Sequence, residues 1–425
     1  MKFKEALTWL SQYEFHGIKP GLERISFLLN NLDNPQHLYP VVHIAGTNGK
    51  GSTAAFFESI LRHHGLKTGL YTSPHLISVC ERFVINGKPI SEERFAELAK
   101  RVKKSLGDNP ATYFELTTAI AFLVFAEEKV DIAIIECGLG GRLDATNVIL
   151  PEVAIITPVS FDHQAFLGNT LSAIASEKVG IIKPERPVVT SYQKQEALEV
   201  IEKHAHEKRA PLFIQGRDFD IFPARETLSF KGKYIFYDLR PSLKGRHQLT
   251  NLALAIKATE LLEEKGFLSL QSEKLKEAVA NTSWPGRFEI ISTEPPVILD
   301  GAHNLAGINT LKENLEELGI KEYILLFGAS NEDGTKPFKE MLTTLLPGCK
   351  KLFICQPPGP RRPVSLEEWQ VRLKNLKHPL VHFYSSWEKA LEEALEDRKN
   401  LPLIVTGSLY LVGFARAYLN TLFGK

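Results

Sequence analysis

Cysteine is scarce in this sequence, and neither sign of charge is in excess. The 425 residues contain four cysteines, Cys80, Cys137, Cys349 and Cys355, and no two of them have CxxC spacing. Sparse cysteines of this kind are typical of buried, reduced thiols in a cytoplasmic protein. Basic residues number 51 and acidic residues 50, so the net charge is +1. We therefore expect no general affinity for nucleic acid or for a membrane surface.

Long apolar segments are also missing. The N-terminal stretch MKFKEALTWLSQYEFHG contains no continuous apolar run of the kind that forms the centre of a signal peptide. No segment reaches the length of about 20 apolar residues that a membrane-spanning helix requires. The composition, 44% hydrophobic and 24% charged, is that of an ordinary globular chain, and its length predicts two or three domains. We expect a cytoplasmic protein without a membrane anchor.

Apolar, strand-like segments alternate with amphipathic, helix-like segments along the chain. YPVVHIAG, VDIAIIECG and PEVAIITPVS are nearly continuous apolar runs, which is typical of strands buried on both faces of a parallel sheet. Residues 216–237 change to short alternating runs that predict antiparallel hairpins. A second α/β pattern follows Pro285, Pro295 and Pro296. The sequence predicts an α/β fold with one domain over residues 1–290 and a second over residues 297–425.

The stretch VVHIAGTNGKGSTAAFF, residues 41–57, reads as a strand, a glycine-rich loop and a helix. Such a loop places backbone N–H groups and the positive end of a helix dipole next to an anion. Lys50 would supply charge for the β- and γ-phosphates of a nucleotide, and the hydroxyl of Ser52 or Thr53 could bind Mg²⁺. The pattern departs from GxxxxGK[ST], because Gly51 follows Lys50 and Ile44 stands at the first glycine position. A nucleotide site is favoured, and a purely structural glycine turn is the alternative.

Glu136 ends the second apolar segment and is followed by three glycines in ECGLGG. Its carboxylate should lie at the carboxyl edge of the sheet, where ligands of such folds collect. Two interpretations stay open. Glu136 either pairs with Arg142 or meets a Mg²⁺ ion or an ammonium group.

Asp162 and His163 end a third apolar segment at the same edge of the predicted sheet. A neutral imidazole is an acceptable metal ligand, so His163 is a candidate for one. Lys178 follows within a predicted helix, and taken alone it reads as a solvated surface lysine.

Arg287, Asp300 and His303 surround the start of the second α/β pattern. An arginine can neutralise phosphate through two hydrogen bonds. Asp300 could accept a hydrogen bond from a ribose hydroxyl, and His303 could lie near a transferred phosphoryl group. An interdomain salt bridge between Arg287 and Asp300 is the alternative.

Eight motifs occur in order over nearly the whole chain: HIAGTNGKGS, YTSPHL, ECGLGGRLDATN, DHQAFLG, EKVGIIK, WPGRFE, DGAHN and TGSLYLVG. Together they resemble the motifs of the folylpolyglutamate synthase/dihydrofolate synthase family, a branch of the ATP-dependent Mur-type amide ligases. The resemblance implies a Mur-ligase-like P-loop ATPase domain, with a mostly parallel sheet and a small antiparallel sheet. A smaller Rossmann-like α/β domain should follow it, in a monomer with its site in the cleft between the domains.

The resemblance also implies a set of site residues. ATP would be bound by Gly46, Thr47, Asn48, Gly49, Lys50, Gly51, Ser52, Asn251, Arg287 and Asp300. Mg²⁺ would be bound by Ser52, Ser73, Glu136, His163 and a carbamylated Lys178, and K⁺ is a further candidate ion. The pterin part of the substrate would contact Gly21, Leu22, Glu23, Arg24, Tyr113, Phe114, Glu115, Leu143, Asp144 and Ala145. Lys50, Lys178 and His303 would be the catalytic residues.

The implied reaction is the ATP-dependent addition of L-glutamate to dihydropteroate, to the glutamyl tail of tetrahydrofolates, or to both. The γ-phosphoryl group would convert a substrate carboxylate into an acyl phosphate, from which the glutamate amine displaces phosphate. The alternatives are a Mur-type peptidoglycan ligase and a catalytically inactive nucleotide-binding regulator. The first is disfavoured because we expect no UDP-binding domain before residue 46, and the second because Lys50, Glu136, His163, Lys178 and His303 are all retained.

Two segments depart from the family pattern. Ser160, Phe161 and Gln164 flank His163 where relatives often carry Gly-Leu and Thr. Residues 331–336 are divergent, and we expect this segment to line the glutamate side of the site.

Overall fold

The computed structural model describes residues 1–14, 19–224, 227–330, 336–374 and 380–424. Two compact units are present. Unit 1 consists of Met1–Ser160, Asn169–Ser242 and Gln248–Ser283, and unit 2 consists of Phe161–Gly168, Leu243–His247 and Trp284–Lys425.

Unit 1 is built around an eight-stranded sheet. Its strands are β1 (Val41–Ala45), β2 (Thr68–Tyr71), β3 (Phe83–Ile85), β4 (Lys88–Pro89), β5 (Ile132–Glu136), β6 (Val153–Ile156), β7 (Val188–Thr190) and β8 (Leu212–Ile214). Their order is β4-β3-β2-β5-β1-β6-β7-β8, and every neighbouring pair from β2 to β8 is parallel. All residues of β1, β5 and β6 are buried, which explains their continuous apolar sequences. The carboxyl ends of these three strands therefore lie side by side.

Helices of unit 1 cover this sheet. They are α1 (Phe3–Ser11), α2 (Glu23–Asn30), α3 (Lys50–His63), α4 (Glu92–Leu106), α5 (Tyr113–Glu127), α7 (Leu171–Lys178), α8 (Gln195–Glu207), α9 (His247–Glu264) and α10 (Ser272–Ala280). The short helix α6 (Gln164–Leu167) belongs to unit 2. Helix α3 packs on α10, and α4 packs on α1 and α5. In α3 the ten residues from Ser52 to Leu61 are all buried, so this helix is enclosed by the fold.

Helix α4 shows how local sequence sets these elements. The Ser91 hydroxyl caps it by accepting a hydrogen bond from the Arg94 amide. Glutamates occupy its first turn and lysines its last, which suits the helix dipole. The buried residues Phe95, Leu98, Ala99 and Val102 recur at helical spacing and form the face that packs on the core.

A three-stranded antiparallel sheet forms the remainder of unit 1. It contains β9 (Asp220–Ala224), β10 (Thr227–Lys231) and β11 (Ile235–Leu239), in the order β11-β10-β9. The β10–β11 turn is attached to α9 by the fully buried Glu260, whose carboxylate accepts hydrogen bonds from the Lys233 and Tyr234 amides at 3.1 and 3.0 Å. Lys257 Nζ lies 2.9 Å from the same carboxylate. A buried ion pair thus connects the small sheet to the helix beneath it.

Unit 2 has a six-stranded sheet in the order β12-β13-β17-β14-β15-β16. Its strands are β12 (Glu289–Thr293), β13 (Pro296–Leu299), β14 (Tyr323–Phe327), β15 (Cys349–Cys355), β16 (Leu380–Tyr384) and β17 (Leu403–Thr406). Only the β12–β13 pair is antiparallel. The helices are α11 (Leu305–Glu317), α12 (Phe338–Leu345), α13 (Leu366–Leu373), α14 (Trp387–Asp397) and α15 (Leu409–Phe423).

The predicted α/β fold class is confirmed, including the mostly parallel sheet, the small antiparallel sheet and the second sheet domain. The compact units differ from the expected division between residues 290 and 297. Strand β12 pairs with β13 and so belongs to the second sheet, and two short segments, Phe161–Gly168 and Leu243–His247, group with unit 2.

The four cysteines are buried and form no disulfide, as their spacing predicts. Within the residues that the structure describes, no helix is both long enough and apolar enough to cross a membrane.

Candidate active site

Two glycines shape the loop between β1 and α3, where the sequence predicts phosphate binding. Gly46 has a φ of +148°, and a Cβ atom there would lie 1.8 Å from Thr157 Oγ1. Gly49 has a φ of +87°, and a Cβ atom there would lie 2.3 Å from Asn251 Oδ1. Neither position accepts a side chain, because the backbone is left-handed and the space is filled. Packing within unit 1 therefore requires both glycines, whatever the loop binds.

The segment that follows β6 holds the other side of this loop. Thr47 donates its amide to Pro158 O and its hydroxyl to Ser160 O, both at 3.0 Å. The Ser160 amide donates back to Thr47 Oγ1 at 3.1 Å, and Asn48 Nδ2 lies 3.5 Å from Ser160 Oγ. Ser160, one of the departures from the family pattern, thus fixes the position of the loop.

Lys50 begins α3 and folds back over the loop. Its Nζ donates to the carbonyl oxygens of Gly46 and Thr47, at 3.2 Å each, and lies 4.0 Å from Glu136 Oε1. The N-cap residue of α3 is Gly49, which has no side chain to cap the first turn. The ammonium group and the positive end of the helix dipole therefore act at the same place, an arrangement that suits phosphate oxygens.

Lys178 ends α7 and is only 3% exposed, so the interpretation as a solvated surface lysine is wrong. Its Nζ donates to Gly46 O at 2.9 Å. Close packing around α7 depends on glycine, since a Cβ atom on Gly141 would lie 2.7 Å from Lys178 O and one on Gly180 would lie 2.4 Å from Arg142 Cα. This packing brings the lysine to the phosphate loop.

Glu136 ends β5, and its carboxylate reaches the segment that follows the neighbouring strand β2. Its Oε2 accepts a hydrogen bond from the Ser73 amide at 3.1 Å. The alternative partner Arg142 instead pairs with Glu177 at 2.8 Å. Of the two open interpretations, the structure favours the one in which Glu136 faces an ammonium group, here that of Lys50.

The candidate metal ligands of unit 1 are oxygen atoms. They are the Glu136 carboxylate and the hydroxyls of Ser52 and Ser73; Ser52 Oγ lies 3.5 Å from Gln248 Nε2. Among the described residues, no three His, Cys, Asp or Glu side chains are grouped closely enough to hold a metal ion. One carboxylate with a few hydroxyls fits Mg²⁺, which keeps several waters and takes its remaining ligands from substrate phosphates.

Asp162 lies between two imidazoles in unit 2. Its Oδ1 is 4.0 Å from His163 Nε2, and its Oδ2 is 4.0 Å from His303 Nε2. Asn304 Nδ2 donates to Oδ2 at 2.9 Å. Burial would raise the pKa of Asp162, but the two imidazoles and the Asn304 amide outweigh it and lower the pKa to about 2.

His303 is neutral at physiological pH, because burial lowers its pKa to about 3, and the nearby Lys336 adds to this. Its Nδ1 lies 2.8 Å from Gly301 O, a contact that requires a proton on Nδ1. Nε2 is therefore a hydrogen-bond acceptor. A neutral ring adds no positive charge to the site, and the position of His303 near a transferred phosphoryl group stays a prediction.

Asp300 and Arg287 both lie in unit 2. Both Asp300 oxygens accept backbone hydrogen bonds at 2.8 Å, from the Phe288 and Ala302 amides. Burial raises the pKa of Asp300, and the nearby Arg287 guanidinium opposes that shift. Arg287 donates to Gly286 O at 3.2 Å. Asp300 thus shapes the backbone that leads into His303. The alternative of an interdomain salt bridge does not apply, because Arg287 and Asp300 belong to the same unit.

The residues expected on the pterin side come together within unit 1. Arg24 Nε lies 3.0 Å from Glu115 Oε1, which joins α2 to the start of α5. Phe114 fills the space beside Gly138, where a Cβ atom would lie 2.6 Å from its ring. Asp144 is buried, and its two carboxylate oxygens accept hydrogen bonds from its own loop. Residues 331–335, expected on the glutamate side, lie outside the described residues.

Two residues of these sites, Asp162 and Arg82, are not among the site residues predicted from the sequence. Asp162 was visible beside His163, but only the fold shows it facing His303. Arg82 is 5% exposed, donates to His75 Nδ1 at 2.9 Å and lies 5.3 Å from the centre of the Tyr113 ring. Its only sequence signal was a single arginine before an apolar segment, which is too common to single out.

Comparisons with known proteins agree with this architecture. The family model of the Mur ligase middle domain matches residues 44–259, and that of the Mur ligase, glutamate ligase domain matches residues 286–409. The chain is 36% identical, over 437 aligned residues, to the dihydrofolate synthase/folylpolyglutamate synthase of Bacillus subtilis. That alignment covers 98% of this chain and 99% of the relative.

Solved structures extend the likeness to three dimensions. The folylpolyglutamate synthase of Mycobacterium tuberculosis complexed with ADP superposes with a TM-score of 0.90 at 31% identity, covering 100% of this chain and 98% of that chain. E. coli FolC in complex with DHPP and ADP gives a TM-score of 0.89 at 28% identity, covering 100% and 99%. This chain therefore belongs to the folylpolyglutamate synthase/dihydrofolate synthase family of ATP-dependent amide ligases, and it has the Mur-ligase-like fold of that family.

Proposed function

We propose that this chain joins L-glutamate to a folate-type acid at the expense of ATP. The acceptor is dihydropteroate, the glutamyl tail of tetrahydrofolates, or both. One observation supports this most directly: Lys50, Lys178 and Glu136 gather at a glycine loop on the carboxyl edge of a parallel sheet. The two solved relatives named above hold ADP, and one of them also holds DHPP.

The glycine loop would bind the phosphates of ATP. Lys50 now donates to two neutral carbonyl oxygens, and a phosphate oxygen would replace them with a stronger, charge-assisted hydrogen bond. Phosphoryl transfer needs positioning and charge neutralisation more than covalent help, and the loop residues Gly46–Ser52 supply the first of these. The ATP-binding roles of Asn251, Arg287 and Asp300 stay predictions from the family resemblance.

In this proposal the metal ligands of unit 1 are Ser52, Ser73, Glu136 and a carbamylated Lys178. Bound Mg²⁺ would neutralise charge on the phosphate oxygens. Glu136 is oriented for this role by the Ser73 amide. Carbamylation forms a bond between the Lys178 nitrogen and carbon dioxide; the ammonium group loses two protons in the process, so a buried cation is exchanged for a carboxylate. The roles of His163 as a metal ligand and of K⁺ stay predictions, as do a monomeric state and a cytoplasmic location.

The amine of glutamate must lose a proton before it attacks an acyl phosphate. In unit 2, Asp162 supplies negative charge that would attract an ammonium group, and the Nε2 lone pair of His303 lies on the side of that carboxylate. We assign His303 Nε2 the role of hydrogen-bond acceptor that orients the amine, with Asp162 as the counter-ion of the ammonium group. Because its pKa is about 3, His303 is too weak a base to keep the proton that the amine loses.

The test is ADP release by the purified protein with ATP, Mg²⁺ and L-glutamate. Dihydropteroate, tetrahydrofolate and a UDP-muramoyl peptide are supplied in turn. We expect release with one or both pterin acceptors and none with the UDP-sugar. Release with the UDP-sugar alone, or with no acceptor, would contradict the proposal.

Lys50→Ala provides the matched loss-of-function variant. We expect ligation to fall by at least about 100-fold, because the transferred phosphoryl group loses its ammonium partner. The thermal midpoint should stay close to that of the parent. Lys100→Ala, at an exposed position on α4, is the control and should keep full activity. Normal turnover in Lys50→Ala would remove the phosphate-loop assignment.

A further inference from the structure

A continuous chain of polar contacts runs through the interior of unit 1. His43, on β1, is fully buried, and its Nε2 lies 2.8 Å from Thr146 Oγ1 and 3.1 Å from Cys137 Sγ. Thr146 Oγ1 in turn lies 2.5 Å from Asp144 Oδ1. The chain therefore connects the strand that carries the phosphate loop to the loop that follows Glu136.

The Asp144 end of this chain is anchored to the backbone. Its Oδ2 accepts hydrogen bonds from the Gly138 and Leu139 amides, at 2.9 and 2.8 Å. Its Oδ1 accepts from the Thr146 amide at 3.0 Å, as well as from the Thr146 hydroxyl. Both carboxylate oxygens are thus engaged inside the loop, so the carboxylate shapes the loop and does not present itself to a ligand.

The directions of these hydrogen bonds follow from the donors present. Burial raises the pKa of Asp144, and the hydrogen bonds from the Leu139, Thr146 and Gly138 donors oppose that shift and favour the ionised form. The Thr146 hydroxyl has one proton, and the ionised carboxylate can only accept. The hydroxyl therefore donates to Asp144 and accepts from His43, which places the imidazole proton on Nε2. Among the described residues, His43 Nδ1 has no hydrogen-bond partner, so nothing there favours the other tautomer. Burial lowers the pKa of His43 to about 3, and the nearby Lys183 adds to this, so the ring stays neutral.

We infer that His43, Thr146 and Asp144 form a positioning chain that sets the Gly138–Asp144 loop for the pterin substrate. The inference rests on the proposed function, and on the family resemblance that predicts Leu143, Asp144 and Ala145 on the pterin side. Asp144 then acts through the loop backbone, and His43 is a fixed donor, not a proton carrier. Breaking the chain should loosen this loop while leaving the phosphate loop in place.

The competing explanation is an ordinary polar cluster that contributes only to stability. Thr146→Val removes the hydroxyl and nearly keeps the side-chain shape, so it separates the two. The matched control is Thr259→Val. Thr259 is also fully buried in unit 1, and its hydroxyl makes one hydrogen bond, to Ala255 O at 2.8 Å in the middle of α9.

Steady-state kinetics with the pterin acceptor on which the parent protein is active provide the first readout. In Thr146→Val we expect the KM for that acceptor to rise about tenfold, because the variant loses one buried hydrogen-bonded link in the chain. The KM for ATP should stay within about twofold of the parent value. Thr146→Ser should restore the acceptor KM to within about threefold of the parent, because it restores the hydroxyl. Thr259→Val should shift neither KM, even at an equal loss of thermal stability. If Thr146→Val and Thr259→Val behave alike, or if both substrates are affected equally, the positioning role is overturned.

Amide hydrogen exchange of the apo protein provides a readout that does not depend on activity. The Gly138 and Leu139 amides should exchange at least about tenfold faster in Thr146→Val than in the parent, and at the parent rate in Thr259→Val. Unchanged exchange at these two amides would overturn the inference. Absence of ligase activity in the parent with every pterin acceptor would overturn the proposed function, and the exchange experiment would then show separately whether the chain holds the loop.

Discussion

The side-chain amines of Lys50 and Lys178 donate hydrogen bonds to the same atom, the backbone carbonyl oxygen of Gly46, at 3.2 and 2.9 Å. The two nitrogens are therefore separated by about 6 Å at most. Two positive charges at that distance repel by about 3 kcal/mol at an effective dielectric constant of about 20. The Glu136 carboxylate, 4.0 Å from Lys50 Nζ, offsets part of this repulsion. Loss of the positive charge on Lys178, the less exposed of the two lysines, would remove the repulsion altogether.

We therefore expect Lys178 to carry a carbamate in the active protein. An intact-mass spectrum recorded under gentle conditions in bicarbonate should show a labile adduct with the mass of one carbon dioxide. Lys178→Ala should lose ligase activity by at least about 100-fold and regain part of it with a short carboxylic acid, which replaces the missing carboxylate. Lys203→Ala, at an exposed position on α8, should keep its activity and its adduct. If neither an adduct nor a rescue of activity is observed, Lys178 is an unmodified ammonium group and the prediction is wrong.

Asp162→Asn should impair the step that uses the amino acid. An amide can donate a hydrogen bond to His303 Nε2 and occupy its lone pair, and it does not attract an ammonium group. We expect kcat to fall about 10–100-fold while the KM for ATP changes little. Asp397→Asn removes a carboxylate from an exposed ion pair with Lys351 in the same unit and is the control. An unchanged kcat in Asp162→Asn would exclude a part for this carboxylate in the reaction.

Two Lys–Glu pairs with the same helical spacing should differ greatly in their effect on stability. Lys257 and Glu260 are buried, with their side chains 6% and 0% exposed, whereas Lys276 and Glu273 lie on the surface. Glu260→Ala leaves an uncompensated buried ammonium group and two turn amides without their acceptor, so we expect a loss of about 3–5 kcal/mol. Glu273→Ala should cost at most about 0.5 kcal/mol. Urea denaturation of both variants measures the difference, and equal losses would show that the buried pair does not hold the small sheet.

Acid should destabilise the protein through its buried imidazoles. Burial is the main cause that lowers the pKa of His43, His75 and His303 to about 3 and that of His247 to about 4. The unfolded chain binds protons at these groups below a pH of about 6.5, and the folded chain does not. Their contribution is therefore fully present above that pH and is lost as the pH falls toward 3–4, at about 1.4 kcal/mol per pH unit for each group.

The measurement is the free energy of unfolding at pH 7.5, 6.5 and 5.5. In His43→Gln the loss between pH 6.5 and 5.5 should be smaller than in the parent by about 1 kcal/mol, because the unfolded imidazole is already half protonated at pH 6.5. His206→Gln, at an exposed position, should leave that loss unchanged. A parent protein whose stability is flat over this range would contradict the assignment of neutral, buried rings.

The sequence predicts the central strands well and the edge strands poorly, for a physical reason. β1, β5 and β6 are buried on both faces, so their sequences are apolar throughout and stand out from the flanking loops. β3 and β4 have three and two residues, too few to show a period, and pair antiparallel at the edge of the sheet.

The domain boundary was predicted from prolines, which mark breaks in chain direction but do not show which sheet a strand joins.

In the candidate site, too, residues next to buried strands can be predicted from the sequence, whereas contacts between segments far apart in the chain cannot. Lys50 and Glu136 could be found because Lys50 comes soon after the buried strand β1 and Glu136 ends the buried strand β5, and parallel strands bring their carboxyl ends together. The burial of Lys178 was not visible, because it depends on how closely α7 packs against Gly141, far away in sequence. The contacts of Asp144 were not visible either, since the partner of its neighbour Thr146 is His43, on another strand.

The four buried thiols give each unit its own internal reporter. Cys80 and Cys137 belong to unit 1, and Cys349 and Cys355 to unit 2. Burial raises the pKa of all four, so a thiol-reactive label finds neither an exposed sulfur atom nor a thiolate while a unit is intact. Peptide mapping of labelled cysteines, in denaturant or during turnover, therefore reads out which half of the enzyme opens first, without any engineered probe.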